Sequence, residues 1–140
     1  MYTLIMNSDK TLSASVTTNI FQKENLVDKI QFLFPAEYNC EDLSDFTATL
    51  KWIDPANEAH AETLELDQEL YKGKLRYVLP LDTEFTKFAG TIKLRITLSK
   101  TDDVTNDVYV LHTGDIEVSI LPRDEYIFVN NNNDESEVQP

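Results

Sequence analysis

The chain reads as an all-β domain, an antiparallel β-sandwich of about seven to eight strands. Three observations predict it. Apolar residues recur at every second position through most of the sequence, the spacing that turns one face of a strand toward a core. Turn-forming residues interrupt these runs at intervals suited to a sandwich. No segment has the length and periodicity of a crossover helix, so a parallel sheet is not expected.

Taken in order, Tyr2 to Met6 is a short apolar run that reads as an extra N-terminal strand. Leu12, Ala14 and Val16 alternate with polar neighbours as a half-buried strand. Ile30, Phe32 and Phe34 repeat the pattern up to Pro35, and Phe46, Ala48, Leu50 and Trp52 carry it to Asp54-Pro55. Asp54-Pro55-Ala56-Asn57 places proline where a type I turn accepts it. Ala61 to Leu66 is a short edge strand, and Leu75, Tyr77 and Leu79 form the next set before Pro80. Thr83 to Ala89 reads as one helical turn ended by Gly90, with Phe85 and Phe88 plugging the open end of the sandwich. Ile92, Leu94, Ile96 and Leu98 are the clearest alternation, and Asp102 to Asn106 is a hairpin loop after them. Val108 and Val110 open the last long segment, which Ile116, Val118 and Ile120 close after a bulge at Gly114. The expected domain covers 1–121. Residues 122–140, acidic and rich in asparagine around an apolar island, read as a flexible tail or linker.

Charge and cysteine content narrow the function. Twelve Lys and Arg against twenty-five Asp and Glu give a formal charge of −13, a field that repels phosphate backbones. Nucleic acid is therefore not an expected partner. The single cysteine, Cys40, excludes an internal disulfide and a thiolate zinc cluster. No stretch approaches the roughly 20 apolar residues that cross a bilayer, and the N-terminus lacks the basic region of a signal peptide. No membrane partner is expected.

A search for chemistry returns little, and no enzyme activity, cofactor or metal is expected. Gly73, Gly90 and Gly114 are too far apart to cradle a phosphate. His60 and His112 have no second histidine at helical spacing, and neither sits beside a nucleophile elbow. Cys40 lies among acids, which disfavour a thiolate. The acidic runs Glu41-Asp42 with Asp45, and Asp102-Asp103 with Asn106-Asp107, lack the spaced pattern of a calcium loop and read as solvated turns. Trp52 is in phase with Leu50 and Ala48, so it is assigned to the core and not to a sugar-stacking platform.

Several of these segments resemble a known family. Leu43 to Trp52 before a proline turn, Tyr71 to Pro80, Thr86 to Gly90 followed by Ile92, Leu94 and Ile96, and Thr113 to Val118 are similar to the N-terminal domain of bacteriophage upper baseplate and tail structural proteins. The resemblance covers most of residues 11–121 and implies an immunoglobulin-like sandwich. It further implies a virion structural protein, of the tail, baseplate or neck, assembled in the host cytoplasm. Such a protein acts by contact with other virion proteins, as a homo-oligomer in a ring or fibre. The alternative is a carbohydrate- or host-receptor-binding module on the virion surface. The apolar runs outside the best-defined strands are the expected docking residues: Tyr2, Leu4 and Met6 at one end, and Tyr126, Ile127, Phe128 and Val129 at the other.

Overall fold

A computed structural model of the chain describes residues 1–123. Two β-sheets pack face to face around one core. The first holds β2 (Leu12–Val16), β1 (Tyr2–Met6), β4 (Lys29–Pro35) and β9 (Lys74–Pro80), in that order across the sheet. The second runs β3 (Ile20–Phe21), β12 (Ile116–Leu121), β10 (Gly90–Thr101), β7 (Thr47–Ile53) and β8 (Ala59–Leu64), with β11 (Val108–His112) also on β10. β5 (Glu37–Tyr38) and β6 (Glu41–Asp42) form a small ribbon leading into a 3₁₀ turn at Leu43–Asp45. Nine strands have five residues or more, and the described residues contain no α-helix.

The inward alternation is nearly as the sequence reads. Ile92, Leu94, Ile96 and Leu98 of β10 are buried. Leu94, Ile96 and Leu98 face Trp52, Leu50 and Ala48 of β7 across the ladder, so apolar pairs stack along one face. From the opposite sheet, Leu4, Ile30, Phe32, Phe34, Leu75, Tyr77 and Leu79 complete the core. Phe34 meets Tyr77 edge-on at 5.6 Å. β4 is buried on both faces, since Gln31 and Leu33 are covered as well. Arg76 reaches over this outer face to Gln31 at 3.4 Å while bonding Asp67 at 2.6 Å.

Between Thr97 and Leu94, β10 advances three residues while its partner advances four, from His112 to Ile116. One residue is therefore extra, and a bulge joins β11 to β12 along a single edge of β10. The Thr113 hydroxyl accepts from the Ile96 amide within it. At the Tyr71–Lys74 turn the two central residues, Lys72 and Gly73, both have positive φ, which matches the right-handed twist of a tight hairpin.

Two expectations need correction. The sandwich is not wholly antiparallel: β1 runs parallel to β4, and β3 parallel to β12. After β2 the chain passes through β3 in the opposite sheet before returning as β4, and that excursion makes the crossover without a helix. Ala14 and Val16 are exposed, because β2 is an edge strand that only Leu12 joins to the core. At Thr83 to Thr86 the Phe85 and Thr86 amides both donate to the Asp82 carbonyl, a single turn of helical spacing that does not extend into a helix. Phe85 still plugs the sandwich end, whereas Phe88 is only half-buried.

Candidate functional site

Of the residues expected to dock on a neighbour, Tyr2, Leu4 and Met6 lie in the domain's own core. β1 is an inner strand with β2 on one side and β4 on the other, so it offers no free edge. The N-terminal half of that docking expectation is thus corrected. Tyr126, Ile127, Phe128 and Val129 lie outside the described residues.

The structure instead gathers polar groups at one end of the β7–β8 hairpin. Asp54 begins the turn: its carbonyl accepts from the Asn57 amide at 2.8 Å, and its Oδ1 accepts from the Glu58 amide at 2.9 Å. Asn57 takes a positive φ of 69°, which closes the loop. The hairpin register sets Trp52 opposite His60, so both side chains share a face. Their rings stack at 4.8 Å, nearly parallel, and the Phe85 ring meets Trp52 at a tilt, 5.4 Å between centroids.

The imidazole is thereby held between carboxylates. His60 Nε2 lies 2.9 Å from Asp54 Oδ2, and Nδ1 lies 3.5 Å from Glu84 Oε2. Glu84 rides on the same turn as Phe85, so the plug of the sandwich also delivers an acid to the ring. Asp54 is buried, Glu58 is exposed, and one donor atom each from Asp54, Glu58 and His60 falls within 4.8 Å of the others. Burial pushes the Asp54 carboxyl up, but hydrogen bonds from His60 and the Glu58 amide outweigh it and hold the group below its ordinary value. Trp52 Nε1 is buried without a partner among the described residues.

On the outer face of the same strands lies an open trough of about 400 Å³. Ile53, Ala59 and Ala61 floor it, and Lys51, Lys93 and Arg95 rim it. Arg95 also pairs with Asp115 at 2.8 Å.

The other candidates from the sequence are structural. Asp102 Oδ1 accepts from the Val104 and Thr105 amides, and Asp42 caps the 3₁₀ turn through Ser44, so both acidic runs serve as turns. His112 Nδ1 bonds across the ladder to the Thr97 hydroxyl at 3.0 Å. Cys40 is exposed on the β5–β6 ribbon.

At the opposite end of β10, β11 pairs among the described residues on one side only. Tyr109 and Leu111 pack against the core, while Val108 and Val110 point outward and are 66% and 53% exposed. Val104, in the loop before them, is exposed too. Sequence periodicity placed these valines on a strand, but it carried no sign of which edge would be left bare.

Fold and surface together define, among the described residues, a β-sandwich module with a β11 edge bearing Val108 and Val110 and a polar hairpin end. No family model matches the chain, and no curated protein matches it. Among solved structures it is similar to a chain described as the N-terminal domain of phage TP901-1 ORF48. The identity is 11% and the TM-score 0.49, over 88% of this chain and 96% of that one.

Proposed function

We propose that the chain is an immunoglobulin-like structural module of a bacteriophage virion, acting through contacts between copies in a symmetric assembly. The phage assignment rests on the sequence resemblance across residues 11–121. The pairing of β4 with β9 in one sheet, and of β7, β10 and β12 in the other, supports the immunoglobulin-like reading. The observation that carries the contact role is β11. Its edge, unpaired among the described residues, offers backbone donors and acceptors to another strand, and Val108 and Val110 offer apolar side chains beside them. The occupant is the same edge of a second copy.

Sedimentation of the full chain over a range of concentrations tests this. Association is expected to strengthen with concentration and to be lost in Val110→Lys, whose side chain is already exposed and need not disturb the core. A monomer at every concentration, or association indifferent to Val110→Lys, would sink the β11 contact. Electron microscopy of particles labelled on this chain tests the virion assignment separately.

A second reading as a carbohydrate- or receptor-binding module has one observation in its favour. Tyr38 and Tyr109 line a groove with Asn39, Glu41 and Phe46, and Lys100 sits over Phe46 and Tyr109 while pairing with Glu41. Glycan-array binding abolished by Tyr38→Ala would favour it, and silence across the array would count against it.

A further inference from the structure

We propose that His60, Asp54 and Glu58 form a binding site for a divalent transition ion of the zinc class. The inference starts from how the imidazole is held. Its plane is fixed by the stack on Trp52, and its two nitrogens face different carboxylates. Nδ1 looks toward Glu84, while Nε2 looks toward Asp54, with Glu58 close by. Metal-bound histidines characteristically give one nitrogen to the ion and the other to an orienting carboxylate. Glu84 Oε2, 3.5 Å from Nδ1, is placed to take that orienting role, and Nε2, hydrogen-bonded to Asp54 in the ion-free site, would exchange its proton for the ion.

The distances come close to those around an ion. With bonds of about 2.0–2.2 Å to nitrogen and oxygen, neighbouring ligand atoms around a tetrahedral ion stand about 3.3–3.6 Å apart, so a hydrogen-bonded pair must open by about half an ångström to admit one. Nε2 and Asp54 Oδ2 are separated by 2.9 Å. Glu58 completes the set within 4.8 Å, and its carboxylate is exposed. Asp54 is anchored in advance, since the Glu58 amide holds its Oδ1, while Oδ2 pairs with His60 Nε2 in a hydrogen bond whose proton an ion would displace. The backbone of one tight hairpin therefore positions all three ligands.

The donor types select the ion. An imidazole nitrogen with two carboxylates suits zinc, nickel or copper, whereas calcium and magnesium prefer an all-oxygen shell. Three protein ligands also leave at least one position for water or a donor from another molecule.

The test uses the full chain, stripped with chelator and titrated with Zn²⁺ by calorimetry while Trp52 emission is recorded. Trp52 is the single tryptophan of the chain and touches His60, so its fluorescence reads this site directly. One ion per chain and a saturable change in emission are expected. His60→Gln should weaken binding tenfold or more, and so should Glu58→Gln, an exposed position that leaves the fold intact if the first variant does not. Glu84→Gln, which touches only the far nitrogen, should weaken it about 10–100-fold without abolishing it. His112→Gln should change nothing. Absence of saturable binding, equal binding of Mg²⁺, or binding that survives Glu58→Gln unchanged would overturn the assignment, leaving only loose attraction to an acidic surface.

Discussion

Tyr77 buries its ring at the centre of the sandwich, yet its hydroxyl has no hydrogen-bond partner among the described residues. A buried hydroxyl stripped of water and left unpaired costs about 1–3 kcal/mol. Tyr77→Phe removes that penalty and keeps the edge-on contact with Phe34. Urea denaturation should show stability unchanged or raised by about 1 kcal/mol; a clear loss would mean the hydroxyl is satisfied. Asp102 presents the opposite case, a half-buried acid whose carboxylate is hydrogen-bonded. The Thr105 and Val104 amides donate to its carboxylate and lower its pKa below 3.8. A carboxyl depressed by folding contributes stability above its unfolded value and loses it as protons return. The deficit of Asp102→Ala relative to the unmodified chain should therefore be full at pH 7. It should shrink as pH falls through 3.8 and below, as followed by denaturation at a series of pH values. A gap independent of pH would show that the ionised carboxylate is not what holds the loop.

At the level of elements, β10 meets the neighbouring hairpin through Gly90. Its φ of 132° is a conformation that side-chain-bearing residues rarely adopt, and a Cβ there would approach Pro55 Cβ to 2.9 Å. Gly90→Ala should cost about 1–3 kcal/mol, seen as a lower thermal midpoint. Pro55→Ala in the same chain should restore only part of it, because the backbone strain remains; full recovery would assign the cost to the clash alone. The strands themselves were legible because period two reports which face is buried, and β7, β9 and the Ile92–Ile96 stretch of β10 obey it residue by residue. Partners were less legible. Alternation at Leu12, Ala14 and Val16 is the same whether β2 lies inside a sheet or at its edge, and only pairing decides that Val16 stays in water. The hairpin site was half legible. Asp54-Pro55 marked the turn, but His60 read as an ordinary strand histidine until the register placed it across from Trp52 and the Asp82 turn brought Glu84, distant in sequence, to its other nitrogen.

For the molecule as a whole, the two parallel pairings mean that chain order and sheet order diverge. β1 belongs to the interior of its sheet although it begins the chain, and Ile20 of β3 pairs with Ile120 of β12 at the other end. Such distant pairings close long loops before any contact rewards them, which slows folding without weakening the finished structure. They also make the N-terminus indispensable. Removing residues 1–7 would strip Tyr2, Leu4 and Met6 from the core, at about 1.5–3 kcal/mol for each large apolar side chain. It would also leave β4 unpaired along one edge. That loss is comparable with the entire net stability of about 5–15 kcal/mol typical of a domain, so the shortened chain should show no cooperative unfolding transition by Trp52 fluorescence. The described strands of both sheets, by contrast, all end by Leu121. A chain ending at Arg123 should unfold in urea with the same midpoint and slope as the full chain, as a 1–121 domain followed by a separate tail requires. A lower midpoint would show that residues 124–140 contribute to the fold, and a surviving transition without residues 1–7 would show that β1 is not the inner strand it is described to be.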